Sequence, residues 1–159
     1  MTAPAKEQPK ISKRRAEATV LHGVRMDVQV RDLPPVVVDE PDTRGGSNAG
    51  PSPLEYVTSG LAGCQAVMVN RIAGKMRINY QNLRVVAETH LTQKPSTKGG
   101  DHVIRFCGAI LDVYLDTDAD APQLERLKTL SEERCPASNL FLDAGCEPQV
   151  NWHFSPLKA

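Results

Sequence analysis

The chain has 159 residues, with 19 Lys and Arg set against 19 Asp and Glu, 40% hydrophobic positions and 24% charged ones. A charge balance of this kind gives no bulk electrostatic drive toward nucleic acid or an anionic membrane surface, and no apolar run reaches the roughly 18 residues that cross a bilayer. The length suits one domain that buries about two thirds of its unfolded surface.

Residues 1 to about 15, MTAPAKEQPKISKRR, combine Pro, Lys and Arg with almost no apolar anchor. The sequence predicts a solvated tail there, with residues 16–159 as a single domain. Charges without an apolar stretch behind them argue against a secretory signal. The four cysteines, Cys64, Cys107, Cys135 and Cys146, are widely spaced and form no C-x-x-C pair. That spacing argues against a secreted disulfide framework and against a structural zinc site. A cytoplasmic protein with reduced thiols is the expectation.

From Glu17 to about Glu40 the pattern is that of strands. Val24, Met26, Val28 and Val30 alternate with Arg25, Asp27, Gln29 and Arg31, and His22-Gly23 reads as a turn between two short strands. Val36-Val37-Val38 makes a third β-rich run after Leu33-Pro34-Pro35. A loop rich in Gly follows and leads into a long apolar segment. There Ser52 is placed to cap a helix, with Pro53 at its first position and Glu55 three residues after the cap. Leu54, Val57, Leu61, Cys64, Met68, Ile72 and Met76 recur at helical steps, and no charge stands between Glu55 and Arg71. Such a helix is expected to be buried nearly all round.

After that helix, LRVVAETHLT alternates as a strand, Lys94 to Gly100 reads as a hairpin loop, and HVIRFCGAILDVYLD is a long strand in which Gly108 marks a bulge. Ala121 to Arg134 is a second helix, with Leu124, Leu127 and Leu130 inward and Glu132 among the solvent-facing acids. Ala137 to Leu142 forms a short helix with Pro136 in its first turn, and PQVNWHF closes the chain as a strand. The order predicts an α+β fold, with antiparallel sheets packed around a long central helix.

Two cysteines have settings that suit chemistry. Cys64 lies in the wall of the long helix beside the small residues Ala62 and Gly63. Cys135 stands just before Pro136 at the start of a helix, where free N–H groups and the positive end of the dipole lower a thiol's pKa. Taken alone, either one reads most simply as a small buried hydrophobe. Cys107 and Cys146 read as structural or incidental. The histidines His22, His90, His102 and His153 show no motif spacing.

GGSNAGPSPLEYVTSGLAGC, preceded by Val38-Asp39-Glu40-Pro41 and followed some seventy residues later by Cys135-Pro136, resembles the OsmC/Ohr family of osmotically inducible and organic hydroperoxide resistance proteins. The element order over residues 17 to 155 is similar as well. The resemblance implies an intertwined homodimer that reduces organic hydroperoxides without metal, haem or flavin. It implies Cys64 as the peroxidatic cysteine, Cys135 as the resolving one, and an external dithiol as reductant. It also implies an activating Arg from the first hairpin, held by a Glu at the start of the central helix. Arg25 is the best positional match, with Arg31 and Arg44 behind it. The family's acid directly follows the proline, where this chain has Leu54; Glu55 stands one position later, on roughly the opposite helix face from Cys64. Thiol–disulfide exchange, or small-molecule binding without peroxidase activity, is the alternative use of the same fold.

Overall fold

The computed structural model describes residues 11–158. The first ten positions, and with them most of the expected tail, lie outside the described residues; positions 11–16 are exposed and carry no regular structure. The chain falls into two compact units, Met1–Pro53 and Leu54–Ala159.

The first unit is an antiparallel meander of β1 (Glu17–His22), β2 (Arg25–Gln29) and β3 (Val36–Val38), in that order. The His22-Gly23 turn forms as expected, with Gly23 at φ 57°. Beyond β3 the loop is organised around Asp39, which is fully buried. Its carboxylate accepts from Ser47 N (3.0 Å), Ser47 Oγ (2.7 Å), Ala49 N (3.0 Å) and Glu40 N (2.8 Å). The Ala49 N–H foremost, then the Ser47 hydroxyl, hold this carboxyl well below the usual carboxylate range. Closing the loop so tightly requires glycine at two positions. A Cβ on Gly46 would lie 1.7 Å from the Glu40 carbonyl oxygen, and one on Gly50 would lie 2.5 Å from that of Val37. The glycines therefore serve a close backbone approach around one acid.

The second unit begins in α1 (Pro53–Met76) and continues through β4 (Tyr80–Pro95), β5 (His102–Thr117), α2 (Ala121–Glu133), α3 (Pro136–Asp143) and β6 (Pro148–Ser155). Its sheet has the order β4-β5-β6. β4 and β5 form a long antiparallel hairpin, but β6 runs parallel to β5, with Ala109 opposite Pro148 and Leu115 opposite Phe154. The α+β class is as expected; the parallel edge corrects an all-antiparallel sheet. The cause is the connection itself, because α2 and α3 carry the chain back along β5, and a crossover of a dozen or more residues delivers the next strand parallel.

The core lies on one face of β5. Ala109, Leu111, Val113 and Leu115 are buried there against Leu61, Val69, Ile72 and Ala73 of α1, with Leu127 of α2 and Phe141 of α3 closing it. Fully burying a Leu or Val contributes about 1.5–3 kcal/mol. Asp120 caps α2 by accepting from Gln123 N at 2.8 Å while the Gln123 side chain accepts from Asp120 N at 3.0 Å. Glu132 does not face solvent as expected: it accepts from the Trp152 indole at 2.7 Å and ties α2 to β6.

The burial of α1 also differs from the expectation. Its buried residues are Leu61, Gln65, Val69, Ile72 and Ala73, so the inward face is turned by about one residue from the stripe through Cys64 and Met68. Val57 and Val67 remain 39% and 46% exposed, and a Cβ on Gly60, Gly63 or Gly74 would meet open space. The helix is half covered, and Cys64 sits at the margin of the covered half, partly buried. Among the described residues no helix is long and apolar enough to cross a membrane.

Candidate functional site

Cys64 and Cys135 come together. α1 places Cys64 at its half-buried margin, and the α2–α3 junction places Cys135, which has no exposed surface, at the N-cap of α3. The local sequence dictates that junction. Arg134 N bonds the Leu130 carbonyl at 3.2 Å and ends α2, Pro136 takes the first position of α3, and Asn139 N closes the new turn on the Cys135 carbonyl at 3.0 Å. A proline at the first position has no N–H to offer, so Ala137 carries the first free donor of α3.

That donor serves Cys64 and not Cys135. The Cys135 side chain makes no capping hydrogen bond. The Ala137 N–H instead faces the Cys64 sulfur, which lies beside the Cys135 thiol. Burial pushes the Cys64 thiol up from its ordinary value, the Ala137 N–H opposes that push, and the hydrogen bond and charge of Cys135 add to it. Burial and the neighbouring Cys135 thus favour the thiol form of Cys64. Once ionised, its thiolate meets an N–H at the positive end of a helix. The helix-terminus effect read from the sequence for Cys135 thus acts on its partner. Two neighbouring thiols can be oxidised to a disulfide or can pass one on.

The other expected site residues lie elsewhere along the chain. α1 runs unbroken from Pro53 to Met76, so Glu55 lies about 13 Å from Cys64 along the axis and on the opposite face. Glu55 is exposed in the first helical turn, where an acid suits the dipole. Arg25 opens β2 in the first unit, while Cys64 belongs to the second. Arg25 is half-buried, and its Nε is shielded from solvent with no hydrogen-bond partner among the described residues. Arg44 is engaged by Glu40 at 3.0 Å, and Arg31 is exposed at φ 54°. Among the described residues no group of three or more His, Cys, Asp and Glu is placed to hold a metal ion.

Sequence reasoning passed over one neighbour. Gln65, next to Cys64, is fully buried, and neither of its amide atoms has a hydrogen-bond partner among the described residues; the buried Ser138 hydroxyl, next to Ala137, is likewise unpaired. A polar residue inside the otherwise apolar stretch 60–69 was the available signal.

The sequence profile described as OsmC-like protein matches residues 45–151, which spans the Gly-rich loop, α1 and both cysteines. The chain belongs to the OsmC-like family. Among curated proteins none matches it in sequence. Solved structures with a similar fold include an OsmC-like protein from Mycoplasma pneumoniae, 19% identical, with a TM-score of 0.75, covering 91% of this chain and 98% of that one. A structure from Legionella pneumophila, described as an organic hydroperoxide resistance protein OsmC, predicted redox protein and regulator of sulfide bond formation, is 20% identical. Its TM-score is 0.66, over 92% of this chain and 99% of that one. The organic hydroperoxide resistance protein OhrB of Bacillus subtilis is 19% identical, with a TM-score of 0.55, over 88% and 97%. At these identities the likeness speaks for the fold.

Proposed function

We propose that this OsmC-like protein is a stress-associated thiol redox protein that reduces organic hydroperoxides with Cys64 and Cys135. The observation that carries the reading is the Cys64 sulfur held between the Cys135 thiol and the Ala137 N–H. The names of its structural relatives from Legionella and Bacillus support the substrate class. Cys64, as thiolate, attacks the distal peroxide oxygen; the O–O bond breaks, and the alkoxide leaves as alcohol after taking a proton. The Cys64 sulfenic acid is then attacked by the Cys135 sulfur, water leaves, and a disulfide remains. An external dithiol returns both cysteines to thiols by exchange. No metal or organic cofactor enters these steps.

Three further assignments belong to the proposal. Arg25 supplies the counter-charge to the thiolate, and Glu55 acts from the first turn of α1. A second copy of the chain covers the exposed Val57, Val67 and glycine face of α1, so the working unit is a homodimer, in a cytoplasm that keeps thiols reduced. A folded monomer at micromolar concentration in sedimentation would overturn the dimer.

A second reading, thiol–disulfide exchange by the same pair, is supported by the description of the Legionella relative as a predicted redox protein and regulator of sulfide bond formation. The two readings part in a simple assay. Cys64→Ser abolishes hydroperoxide consumption if the first is right, while Cys135→Ser permits one turnover and leaves a trappable sulfenic acid on Cys64. Arg25→Ala slows that first step about ten- to hundredfold, the worth of one hydrogen bond to a charged group. Hydroperoxide consumption that survives in Cys64→Ser would refute the peroxidase reading. Failure of the wild type to consume any, with exchange intact, would leave the second.

A further inference from the structure

The other two cysteines line one cleft. β5 and β6 pair in parallel from Ala109 opposite Pro148, and Cys107 and Cys146 each stand two residues before that first pair. The Cys146 thiol does reach β5, donating to the Phe106 carbonyl at 3.1 Å. Cys107 is the unpaired residue of a bulge, since Leu91 pairs with Phe106 and His90 with Gly108. A bulge re-aims side chains out of the strand's alternation. Exposed Cys107 and buried Cys146 consequently line one cleft of about 510 Å³, together with Lys94 and Arg105. A neighbouring cleft of about 440 Å³ shares both cations and adds Lys98. Among the described residues no carboxylate lines either cleft.

We propose that this cleft is a second thiol–disulfide site, separate from Cys64 and Cys135, that takes low-molecular-weight disulfides bearing carboxylates. Lys94 and Arg105 hold the carboxylates, and exposed Cys107 meets the disulfide first. The Cys107 thiolate attacks one sulfur of R–S–S–R; that S–S bond breaks, a Cys107–S–S–R bond forms, and RS⁻ leaves. Cys146 then releases its proton and its bond to Phe106, attacks the Cys107 sulfur, and expels the second RS⁻. Both leaving thiolates take protons from water or from the cysteines. The protein dithiol has lost two electrons, and one small disulfide has become two small thiols. An accessible cysteine backed by a buried one, beneath fixed positive charge, is the arrangement such a sequence requires.

The test treats the full chain with glutathione disulfide or with the dicationic cystamine, quenches in acid, alkylates and maps the peptides. Glutathione disulfide is expected to yield a Cys107–Cys146 disulfide in the wild type and to remain as a mixed disulfide on Cys107 in Cys146→Ser. Lys94→Gln with Arg105→Gln should slow the glutathione disulfide reaction about tenfold, the lower end of electrostatic steering, without slowing cystamine. Variants are compared only where their urea midpoints match the wild type, and the wild-type arm stands even if they do not. A mixed disulfide that persists on Cys107 in the wild type overturns the pairing. Equal slowing of both probes overturns the role of the cations. Repeating the reaction in Cys64→Ser with Cys135→Ser keeps the result independent of the hydroperoxide reading.

Discussion

Replacing Gln65 with Met should make the protein more stable. Gln65 sits on the inward face of α1 between two groups of core residues, Leu61 with Leu111 and Phe141 on one side, Val69 with Val113 and Leu127 on the other. Neither its amide nitrogen nor its oxygen has a partner among the described residues, and leaving a buried polar group unpaired costs about 1–3 kcal/mol. Met has the same unbranched reach, a similar helix propensity and no group that must be paired. In a chain of this length each kcal/mol moves the melting temperature about 2–4 °C, so the gain is roughly 2 to 12 °C. Calorimetry or circular dichroism reads it directly. Gln65→Glu is the control: it places an ionisable group in the same space and should lower the melting temperature, more at pH 7 than at pH 5, because the charged form is the one that burial disfavours. A fall in melting temperature for Gln65→Met would mean that the amide is hydrogen-bonded in solution, and the accounting of this core would be wrong.

The alkylation rate of Cys64 in the reduced protein should climb with pH through and beyond the ordinary thiol value of about 8.5, because its thiol is pushed up. Cys135→Ala removes a hydrogen bond and a charge that both raise it and leaves the Ala137 N–H that lowers it. The midpoint should therefore move down, and a midpoint that moves up would contradict the geometry. Asp39→Asn should loosen the 39–49 loop, since an amide cannot accept what the carboxylate accepts, and trypsin should then cut after exposed Arg44 faster than in the wild type. The depressed Asp39 carboxyl contributes stability above its unfolded value of about 3.9 and loses it as pH falls through the folded one, so the acid sensitivity of that loop should vanish in the variant. Leu127→Ala, at a fully buried position shared by α1, β5 and α2, should cost about 2–5 kcal/mol in urea unfolding.

Much of the fold was legible because each boundary carries its own chemistry. Gly23, Pro53 and Pro136 punctuate the chain, and the alternation in β2, β4 and β5 is strong. The face of α1 was not legible, because from Leu54 to Asn70 the residue types give almost no contrast from which to read a phase. Apolarity all round tells that a helix is covered somewhere, and only the partner surfaces tell where. The pairing of Cys64 with Cys135 came from the resemblance, not from spacing. The nearness of Cys107 to Cys146 depends on the parallel register of β6, and the signal for it was present in the long α2–α3 connection between two strands of one sheet. Trp152 and Glu132 met for the same reason.

That connection also sets a clock. Cys64 leaves the ribosome roughly seventy residues before Cys135 does, and at about 5–20 residues per second the interval is about 4 to 14 s. The thiols stay apart until α3 has formed and Phe141 packs beside Leu61 of α1, a long-range contact that forms slowly because its loop must be ordered first. A half-made chain therefore presents lone thiols with no neighbour to resolve them.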